Sequence, residues 1–303
     1  MQAQPRKPET VREALVWASS FLRQTGSQDP RFEAELLLRH ILGLDRTRFI
    51  TALPETISAA EVEELERLCR RRAASEPLQY IVGTQEFFGR VFAVRPGVLI
   101  PRPETEILVE QVLRHADKLW PSVETLDAAD IGTGSGAIAL TLAAERPQWR
   151  VTTIDLSQAA LAIAMENAER LHLSSRLRFL QGDLVQPLLA ADEQVDLLVS
   201  NPPYIPSADV ERLDPEVNQF EPHLALDGGD DGLTCYRKIC AALPHLLRPT
   251  ALVAFEVGIH QADTVQQLLL DSGAVDGTEI VPDLAGIDRV VLGWRREASE
   301  GSA

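Results

Sequence analysis

The sequence predicts an α/β protein in which a mostly parallel β-sheet has helices on both faces and follows a small all-helical N-terminal domain. Beyond residue 104, seven short apolar segments alternate with segments of helical period. Strands that alternate with helices form parallel sheets. Residues 1–75 contain helical signals only. With 303 residues, 45% of them apolar and 24% charged, the chain has the length and composition of two globular domains.

Residues 1–75 form the predicted N-terminal bundle of three or four short helices. Apolar residues recur there at the three- and four-residue spacing of amphipathic helices. Helix ends are marked by residues that satisfy the terminal backbone groups. These end signals are the capping boxes Thr10–Glu13 and Ser58–Glu61, the start Asp29-Pro30 and the stop Gly43. We predict either a packing module or a docking module for the substrate, with no chemistry of its own.

Residues 76–103 form the predicted linker. Glu76-Pro77 ends the helical pattern, and aromatic and β-branched residues then alternate with glycines from Tyr80 to Val94. This composition is typical of a β-hairpin. A proline-rich stretch follows, so we place a β-hairpin linker at 76–103 and the α/β domain at 104–303.

Residues 104–303 contain the alternating elements of the predicted α/β domain. Helical periodicity covers residues 104–116, 136–146, 157–171, 233–247 and 261–272. Apolar strand segments cover residues 126–131, 151–154, 177–180, 195–199, 251–257, 278–281 and 289–293. In such sheets ligands bind beyond the carboxyl ends of the strands, so functional residues are expected where these strands end.

The net charge is carried by one part of the chain. Residues 1–80 hold 12 basic and 12 acidic side chains, whereas residues 81–303 hold 17 basic and 33 acidic ones. The second part therefore accounts for the whole net charge of −16. Because proteins bind nucleic acid mostly through cationic contacts to phosphate, direct binding of DNA or RNA is disfavoured.

Cysteine, histidine and hydropathy patterns exclude further classes of protein. The 3 cysteines have no CxxC spacing and the 6 histidines are scattered singly, so neither a disulfide framework nor a metal site is predicted. No apolar run approaches the roughly 18 residues of a membrane span, and no apolar segment follows the basic residues near the N-terminus. We expect a cytoplasmic protein without membrane attachment, and a monomer.

The first candidate site is a glycine-rich loop between a strand and a helix, Asp130-Ile-Gly132-Thr-Gly134-Ser-Gly136. Glycines at alternate positions let the backbone turn tightly and approach a ligand closely. The GxGxG spacing differs from the GxGxxG of dinucleotide-binding loops, and no GK[ST] for a triphosphate is present. An adenosyl ligand without phosphates fits this loop better, and a purely structural turn is the alternative.

Two acidic residues follow the next strands. Asp155 ends the second strand, 19 residues after Gly136, where a carboxylate can accept both hydroxyls of a ribose. Asp183, in Gln181-Gly-Asp183-Leu184, closes the third strand. It either meets an adenine or is a solvated loop acid.

The second candidate site is Asn201-Pro202-Pro203-Tyr204, directly after the strand that begins at Val195. Its prolines restrict the backbone, so the carbonyls of Asn201 and Pro202 have fixed directions. With the Asn201 side-chain carbonyl they suit a planar NH₂ group, and Tyr204 offers a flat face for stacking. Such a clamp holds a poorly nucleophilic amide or aryl amine in line with an electrophilic methyl group. A rigid turn is the alternative.

The order of these motifs is similar to that in amino-group S-adenosylmethionine-dependent methyltransferases, which act on DNA adenine, ribosomal RNA guanine or protein glutamine. Three further segments narrow the resemblance: Leu99-Ile-Pro-Arg-Pro-Glu-Thr-Glu106, Glu221–Leu233 and Asp283–Arg289. With them, residues 10–295 closely resemble the HemK/PrmC family, which methylates the glutamine of the Gly-Gly-Gln loop of bacterial peptide chain release factors. The resemblance implies a Rossmann-like methyltransferase domain with a mostly parallel seven-stranded sheet, after a helical domain and a β-hairpin linker.

The resemblance also implies a cofactor, a partner and residue roles. The cofactor is S-adenosyl-L-methionine, with S-adenosyl-L-homocysteine as product, and the partner is a class 1 release factor, whose methylation supports translation termination. The predicted catalytic and substrate-binding residues are Asn201, Pro202, Pro203 and Tyr204. The predicted cofactor-binding residues are Gly132, Thr133, Gly134, Ser135, Gly136, Asp155, Asp183, Leu184 and Asn201, Leu184 through apolar contact.

The resemblance places a further group near the cofactor or the glutamine. Its members are Phe87, Phe88, Arg102, Pro103, Glu104 and Thr105. Alternatively, Arg102 and Glu104 form an ion pair that pins the linker.

Two other functions and one surface feature stay open at this point. A nucleic-acid amine methyltransferase would need a cationic surface, which residues 81–303 do not obviously supply. A non-catalytic binding protein would have lost the glycine loop or the Asn-Pro-Pro-Tyr motif, and neither is lost. The cluster of Arg67 and Arg70 to Arg72 is either a docking surface for a protein substrate or a solvated helix end.

Overall fold

The computed structural model describes residues 7–122 and 125–297, which divide into two units. Unit 1 contains the described residues up to Thr84 together with the segment Pro215–Phe220. Unit 2 contains Gln85–Asp214 and the described residues from Glu221 onward. The division after Thr84 lies inside the predicted linker, whereas Pro215–Phe220 comes from the middle of the predicted α/β domain.

Unit 1 begins with five helices whose ends the sequence marks. They are α1 (Val11–Gln24), α2 (Pro30–Leu42), α3 (Arg46–Ala52), α4 (Ala59–Ala73) and α5 (Leu78–Val82). Both predicted capping boxes are confirmed, since the Thr10 and Ser58 side chains accept the backbone N–H of Glu13 and Glu61. Leucine and alanine side chains of α1, α2 and α4 form the buried core of the unit, as the helical spacing predicts.

The arginine cluster at the end of α4 is ion-paired. The partners are Glu64 for Arg67, Glu66 for Arg70, Glu76 for Arg71 and Glu33 for Arg72, at N–O distances of 2.5 to 3.1 Å. Arg72 also lies 2.7 Å from Glu216, which the segment Pro215–Phe220 contributes. Because each guanidinium has a carboxylate beside it, the structure favours the helix-end interpretation over a bare cationic docking surface.

The β-hairpin begins later than the composition predicts. Its strands are β1 (Thr84–Phe87) and β2 (Arg90–Ala93), and the aromatic and β-branched residues before them form helix α5 instead. Pro77 precedes this single helical turn and Gly83 ends it in the left-handed region, with φ of 78°. Leu78 and Ile81 are buried at the three-residue spacing of a helix, and this packing outweighs their strand propensity.

Unit 2 is built on a seven-stranded sheet, as predicted. Its strands are β3 (Asp127–Ile131), β4 (Arg150–Asp155), β5 (Leu177–Gln181), β6 (Val195–Ser200), β7 (Leu247–Glu256), β8 (Gly277–Pro282) and β9 (Asp288–Arg295). The order in the sheet is β5-β4-β3-β6-β7-β9-β8. The first five strands in this order are parallel, and β9 runs antiparallel to both of its neighbours.

Helix α6 (Pro103–Leu119) precedes the sheet, and further helices connect its strands. They are α7 (Ala137–Glu145), α8 (Gln158–Arg170), α9 (Gln186–Ala190), α10 (Ser207–Val210), α12 (Thr234–Leu246) and α13 (Ala262–Asp271), while α11 (Pro215–Asn218) belongs to unit 1. No helix within residues 7–122 and 125–297 is long and apolar enough to cross a membrane.

One strand differs from its predicted extent. Strand β7 starts at Leu247 and not at residue 251, because the pairing with β6 shifts register between Val195 and Leu197. Pro249 lies in the part of β7 opposite this shift, where the regular ladder is interrupted and a missing N–H is tolerated.

Two apolar cores cover the two faces of the sheet. Alternate strand residues point to opposite faces. Ala128 and Leu197 accordingly belong to one core with side chains of α6 and α7, while Ala129 and Leu198 belong to the other with side chains of α12 and α13. The strands are therefore buried on both faces, as in doubly wound α/β proteins.

The strand order reverses beside β3. Strands β4 and β5 lie on one side of it, and β6 and β7 lie on the other. In open parallel sheets, ligands bind at such a switch point, beyond the carboxyl ends of the strands. The glycine loop follows β3 and the Asn-Pro-Pro-Tyr motif follows β6, so both candidate sites are placed at this switch point.

Candidate active site

One cavity of about 560 Å³ lies at the carboxyl ends of β3 to β6. It brings together most of the residues that the sequence predicts as functional. The predicted residues that line it are Gly132, Gly134, Asp155, Asp183, Leu184, Asn201 and Pro203. A cavity of this size is in the range of small-molecule binding sites.

The remaining predicted residues do not line this cavity. Thr133, Ser135 and Pro202 are buried. Gly136 begins helix α7 with φ of 84°, and a Cβ there would lie 2.8 Å from the Leu140 side chain. Tyr204 packs against the apolar core beside α12 and α13. These residues support the two loops without lining the cavity.

The glycine loop is held by main-chain contacts with the neighbouring strand. The backbone N–H groups of Gly132 and Thr133 both donate to the carbonyl of Ile154, at 2.8 and 3.1 Å. Gly132, Gly134 and Gly136 all have positive φ, so this path of the chain suits residues without a Cβ.

Asp130 supports the loop from below. It is fully buried, and its carboxyl group accepts a hydrogen bond of 2.5 Å from the Thr133 hydroxyl. Burial raises the pKa of Asp130 to about 7, although the bond from Thr133 acts in the opposite direction.

Asp155 is oriented by two backbone hydrogen bonds. Its Oδ2 accepts the N–H of Gly134 and its Oδ1 accepts the N–H of Ser157, both at 2.8 Å. Burial raises the pKa of this carboxyl group, while the two hydrogen bonds lower it. Each carboxylate oxygen can accept a further hydrogen bond, so Asp155 presents two acceptors to the cavity. Two adjacent hydroxyls, as in a ribose, match this arrangement.

Asp183 and Leu184 form another part of the cavity wall. The Asp183 carboxylate lies 3.3 Å from the ammonium group of Lys238, and both side chains are about half exposed. Leu184 has a positive φ of 50°, and with Ile154 it gives this wall an apolar surface. Asp183 thus lines the cavity and is also a solvated acid, and its contact with an adenine stays a prediction.

The Asn-Pro-Pro-Tyr loop is held by residues that follow it in the chain. The Tyr204 carbonyl accepts a hydrogen bond of 2.9 Å from the Gln261 side chain, whose oxygen accepts the N–H of Gly258. Gly232, with φ of 75°, packs so closely that a Cβ would lie 2.2 Å from the Tyr204 carbonyl oxygen. Burial, with the nearby charge of Glu256, raises the pKa of Tyr204 to about 12, so its phenol stays protonated near neutral pH.

The Asn201 side chain is held by a buried pair of polar groups. Its Nδ2 donates to the Thr105 hydroxyl at 3.2 Å, and Thr105 donates to Oε2 of Glu256 at 2.5 Å. Glu256 is buried, and burial raises its pKa to about 7.

Two supporting residues, Glu256 and Gln261, were missed by the sequence reasoning. Glu256 ends the apolar strand β7 just as Asp155 ends β4. The rule that functional residues stand at strand ends was sufficient to find it. No comparable sequence signal marks Gln261.

The group that the resemblance places near the cofactor or the glutamine lies in the β-hairpin, at Arg102 and at the start of α6, and none of its members lines the cavity. Arg102 is ion-paired with Glu221 and not with Glu104, and the second oxygen of Glu221 accepts the N–H of Ile100 at 3.1 Å. Phe87 is buried in the apolar core, with Phe88 packed against that core. Of this group, Thr105 alone has a direct hydrogen bond to Asn201 among the described residues.

No metal centre is evident in residues 7–122 and 125–297, where His, Cys, Asp and Glu side chains form no group of three or more suited to a metal ion. The three cysteines of this part of the chain are free thiols.

The solved structure of the hMettl16 catalytic domain in complex with MAT2A 3'UTR hairpin 6 has the same fold. It is 14% identical, with a TM-score of 0.53, over 78% of this chain and 94% of that one. At this identity the likeness concerns the fold alone. It agrees with the Rossmann-like methyltransferase fold that the sequence predicts.

Sequence relatives identify the family. Residues 13–83 match the family described as PrmC N-terminal domain, and residues 104–214 match the methyltransferase small domain. The release factor glutamine methyltransferase of Geobacter sulfurreducens is 45% identical, over 95% of this chain and 98% of that protein. That of Moorella thermoacetica is also 45% identical, over 95% and 99%. The predicted resemblance is confirmed: the chain belongs to the release factor glutamine methyltransferase family.

Proposed function

We propose that this protein transfers a methyl group from S-adenosyl-L-methionine to the side-chain amide nitrogen of the glutamine in the Gly-Gly-Gln motif of class 1 release factors. One observation carries the proposal: a single cavity joins the acceptors of Asp155 to Asn201 and Pro203. The cofactor and the planar amide of a glutamine then meet in one place.

The residues at one end of the cavity fit the adenosyl part of the cofactor. Asp155 has two free acceptor positions for the ribose hydroxyls, and Leu184 and Ile154 offer apolar surface to the adenine. Gly132 and Gly134 leave room for the chain of the methionine part. When bound, the cofactor supplies a methyl group that is electrophilic because it is attached to a sulfonium.

Asn201 and the backbone carbonyls of its loop act on the amide. An amide nitrogen is a poor nucleophile because its lone pair is delocalised. Carbonyl groups that accept both of its hydrogens fix its orientation and stabilise the positive charge that develops on it. The raised pKa of Tyr204 argues against a role for its phenol as a base. No dedicated base is required, since a methylated amide cation is a strong acid and gives its proton to water.

Two observations support a release factor as substrate. Relatives of nearly full length, 45% identical, are named release factor glutamine methyltransferase. The acidic excess of residues 81–303 disfavours a nucleic-acid backbone as the partner. The proposal implies a cytoplasmic protein that supports translation termination, since release factors act there.

Mass spectrometry tests the proposal. A class 1 release factor is incubated with the protein and with S-adenosyl-L-methionine that carries a deuterated methyl group. We expect one labelled methyl group, on the glutamine of Gly-Gly-Gln, and none on a control release factor with asparagine at that position. Label on another residue would overturn the substrate assignment. Label on DNA or RNA in parallel incubations would favour a nucleic-acid amine methyltransferase.

A further inference from the structure

Glu256 is a buried carboxyl group next to the active-site asparagine, and the proposed transfer does not by itself use it. It is 2% exposed at the end of β7. The polar chain runs from Asn201 Nδ2 to Thr105 Oγ1 over 3.2 Å, and from there to Glu256 Oε2 over 2.5 Å. The nearby Asn201 amide also contributes to lowering the pKa of Glu256.

The direction of these hydrogen bonds depends on the charge of Glu256. The Thr105 hydroxyl has one hydrogen, and an ionised carboxylate can only accept. Thr105 then donates to Glu256 and accepts from Asn201, so the NH₂ group of Asn201 points inward. Its carbonyl oxygen is left to accept a hydrogen from the substrate amide.

Protonation of Glu256 permits the opposite arrangement. A protonated carboxyl group can donate to Thr105, and the Thr105 hydrogen then requires an acceptor on Asn201. That acceptor is the side-chain oxygen, so the amide of Asn201 turns over and presents its NH₂ group to the substrate. The NH₂ group of Asn201 and the NH₂ group of the substrate glutamine are both donors, so no hydrogen bond forms between them and the clamp is lost.

The surroundings of Glu256 place the ionisation of its carboxyl group near neutral pH. Burial is the largest cause of the raised pKa of Glu256, the charge of Glu104 raises it further, and Arg289 lowers it. The phenols of Tyr204 and Tyr236 are its other titratable neighbours, and Tyr236 donates to the backbone carbonyl of Glu256 at 2.7 Å. Both phenols stay neutral near pH 7, because burial raises the pKa of each.

We propose that Glu256 is a positioning residue whose ionised carboxylate, acting through Thr105, holds Asn201 with its carbonyl oxygen toward the substrate amide. This inference rests on the proposed function, because it assigns Asn201 Oδ1 the task of accepting an amide hydrogen. It adds a pH-dependent control of that task.

The first test compares pH profiles of methyl transfer to a release factor. For the wild type we expect kcat to rise with pH through an ionisation near 7, since the ionised form is active. Glu256→Gln removes this ionisation and lowers kcat about tenfold at pH 8.5. The reason is that a neutral amide can either accept from the Thr105 hydroxyl or donate to it, so it no longer fixes the orientation of Asn201. Other titrations in the assay are common to both proteins and cancel in the comparison.

The second test separates the relay from a structural role. In Thr105→Val the side chain keeps the shape of threonine but lacks the hydroxyl, and kcat is expected to fall about tenfold. Thr105→Ser keeps the hydroxyl and is expected to retain most of the wild-type kcat. The KM for S-adenosyl-L-methionine and the unfolding midpoint are expected to change little in all three variants. Identical pH profiles for wild type and Glu256→Gln, or full kcat in Thr105→Val, would overturn the inference.

A third measurement needs no substrate. NMR of the whole protein follows the side-chain amide signals of Asn201 and the carboxyl carbon of Glu256 across pH 5 to 9. We expect both to titrate with one midpoint, and Thr105→Val to abolish the response of Asn201. If that coupling is present but no release factor is methylated, the proposed function fails and the hydrogen-bond switch stands. If methylation occurs without the coupling, the inference fails.

Discussion

The glycine loop and the Asn-Pro-Pro-Tyr loop line the same cavity but are held in place in different ways. The first is fixed mostly through its own backbone: its glycines have positive φ, and its N–H groups donate to the carbonyl of Ile154 and to the Asp155 carboxylate. Its supporting side chains come from the neighbouring strand ends. The second is fixed by side chains of distant elements, namely Thr105 of α6, Glu256 of β7 and Gln261 before α13.

This difference separates two properties of the site. In the proposed function the glycine loop and Asp155 bind the cofactor, so changes there are expected to act mainly on cofactor affinity. Side-chain contacts at the second loop set the direction of acceptor groups, so changes there are expected to act mainly on kcat. Three substitutions test this division and a fourth tests how closely the second loop is packed, from the largest expected effect to the smallest.

Asn201→Ala removes the side-chain acceptor of the second loop. We expect kcat for release factor methylation to fall about a hundredfold to a thousandfold, as for the loss of a group that stabilises developing charge. Cofactor affinity, measured by calorimetry, is expected to stay within about threefold, because Asp155 and the glycine loop are unchanged. Full activity in this variant would rule out the amide-clamp role.

Gly232→Ala tests how closely the second loop is packed. The new Cβ would lie 2.2 Å from the Tyr204 carbonyl at a φ of 75°. We expect a loss of about 3 kcal/mol in the free energy of unfolding, from overpacking and from the left-handed backbone. Gly26→Ala is the matched control, since its φ is 93° and nothing lies within 4 Å of a Cβ there. The control is expected to lose about 1 kcal/mol in chemical denaturation. Equal losses would show that contact with Tyr204 is unimportant.

Asp155→Ala tests the cofactor end. We expect the Kd for S-adenosyl-L-methionine to rise about tenfold to a hundredfold, since hydrogen bonds to a charged acceptor are lost. Asp183→Ala is the comparison: that carboxylate is half exposed and paired with Lys238, so its Kd is expected to rise less than about threefold. A larger effect at Asp183 than at Asp155 would reverse the assignment of the ribose site.

Gln261→Ala removes the side chain that bonds to the Tyr204 carbonyl. We expect a loss of about 1 kcal/mol in stability and a fall in kcat of about threefold, with the Kd for the cofactor unchanged. Gln267→Ala, an exposed amide on α13, is the control and is expected to leave stability and kcat unaltered. If Gln261→Ala weakens cofactor binding more than kcat, the division between the two loops does not hold.

The parts of the molecule that sequence reasoning predicts are those fixed by local rules. Six of the seven strands begin within one residue of their predicted start, and the capping boxes lie where predicted. The sequence places the glycine loop, Asp155 and Asn201 at strand ends, and the structure brings them to one cavity because parallel strands end at one edge of the sheet.

The parts that it missed depend on contacts between residues far apart in sequence. The resemblance places Thr105 near the cofactor or the glutamine, but its bonding partners lie 96 residues away at Asn201 and 151 residues away at Glu256, so no window along the chain shows that contact. Helix α5 was missed because its aromatic and β-branched composition outweighed the helical spacing of Leu78 and Ile81. Pro215–Phe220 belongs to unit 1, where Glu216 is ion-paired with Arg72, a contact between residues far apart in sequence.

That segment makes unit 1 discontinuous, with a consequence for anyone who divides the protein. The polypeptide passes between the units after Thr84, after Asp214 and after Phe220. A truncation at the linker therefore separates Glu216 from Arg72, and it separates helix α11 from the rest of unit 1. One cut near residue 84 does not yield two independent fragments. A chimera that exchanges the N-terminal unit with that of a relative must exchange residues 215–220 as well, so that each ion pair keeps both of its members.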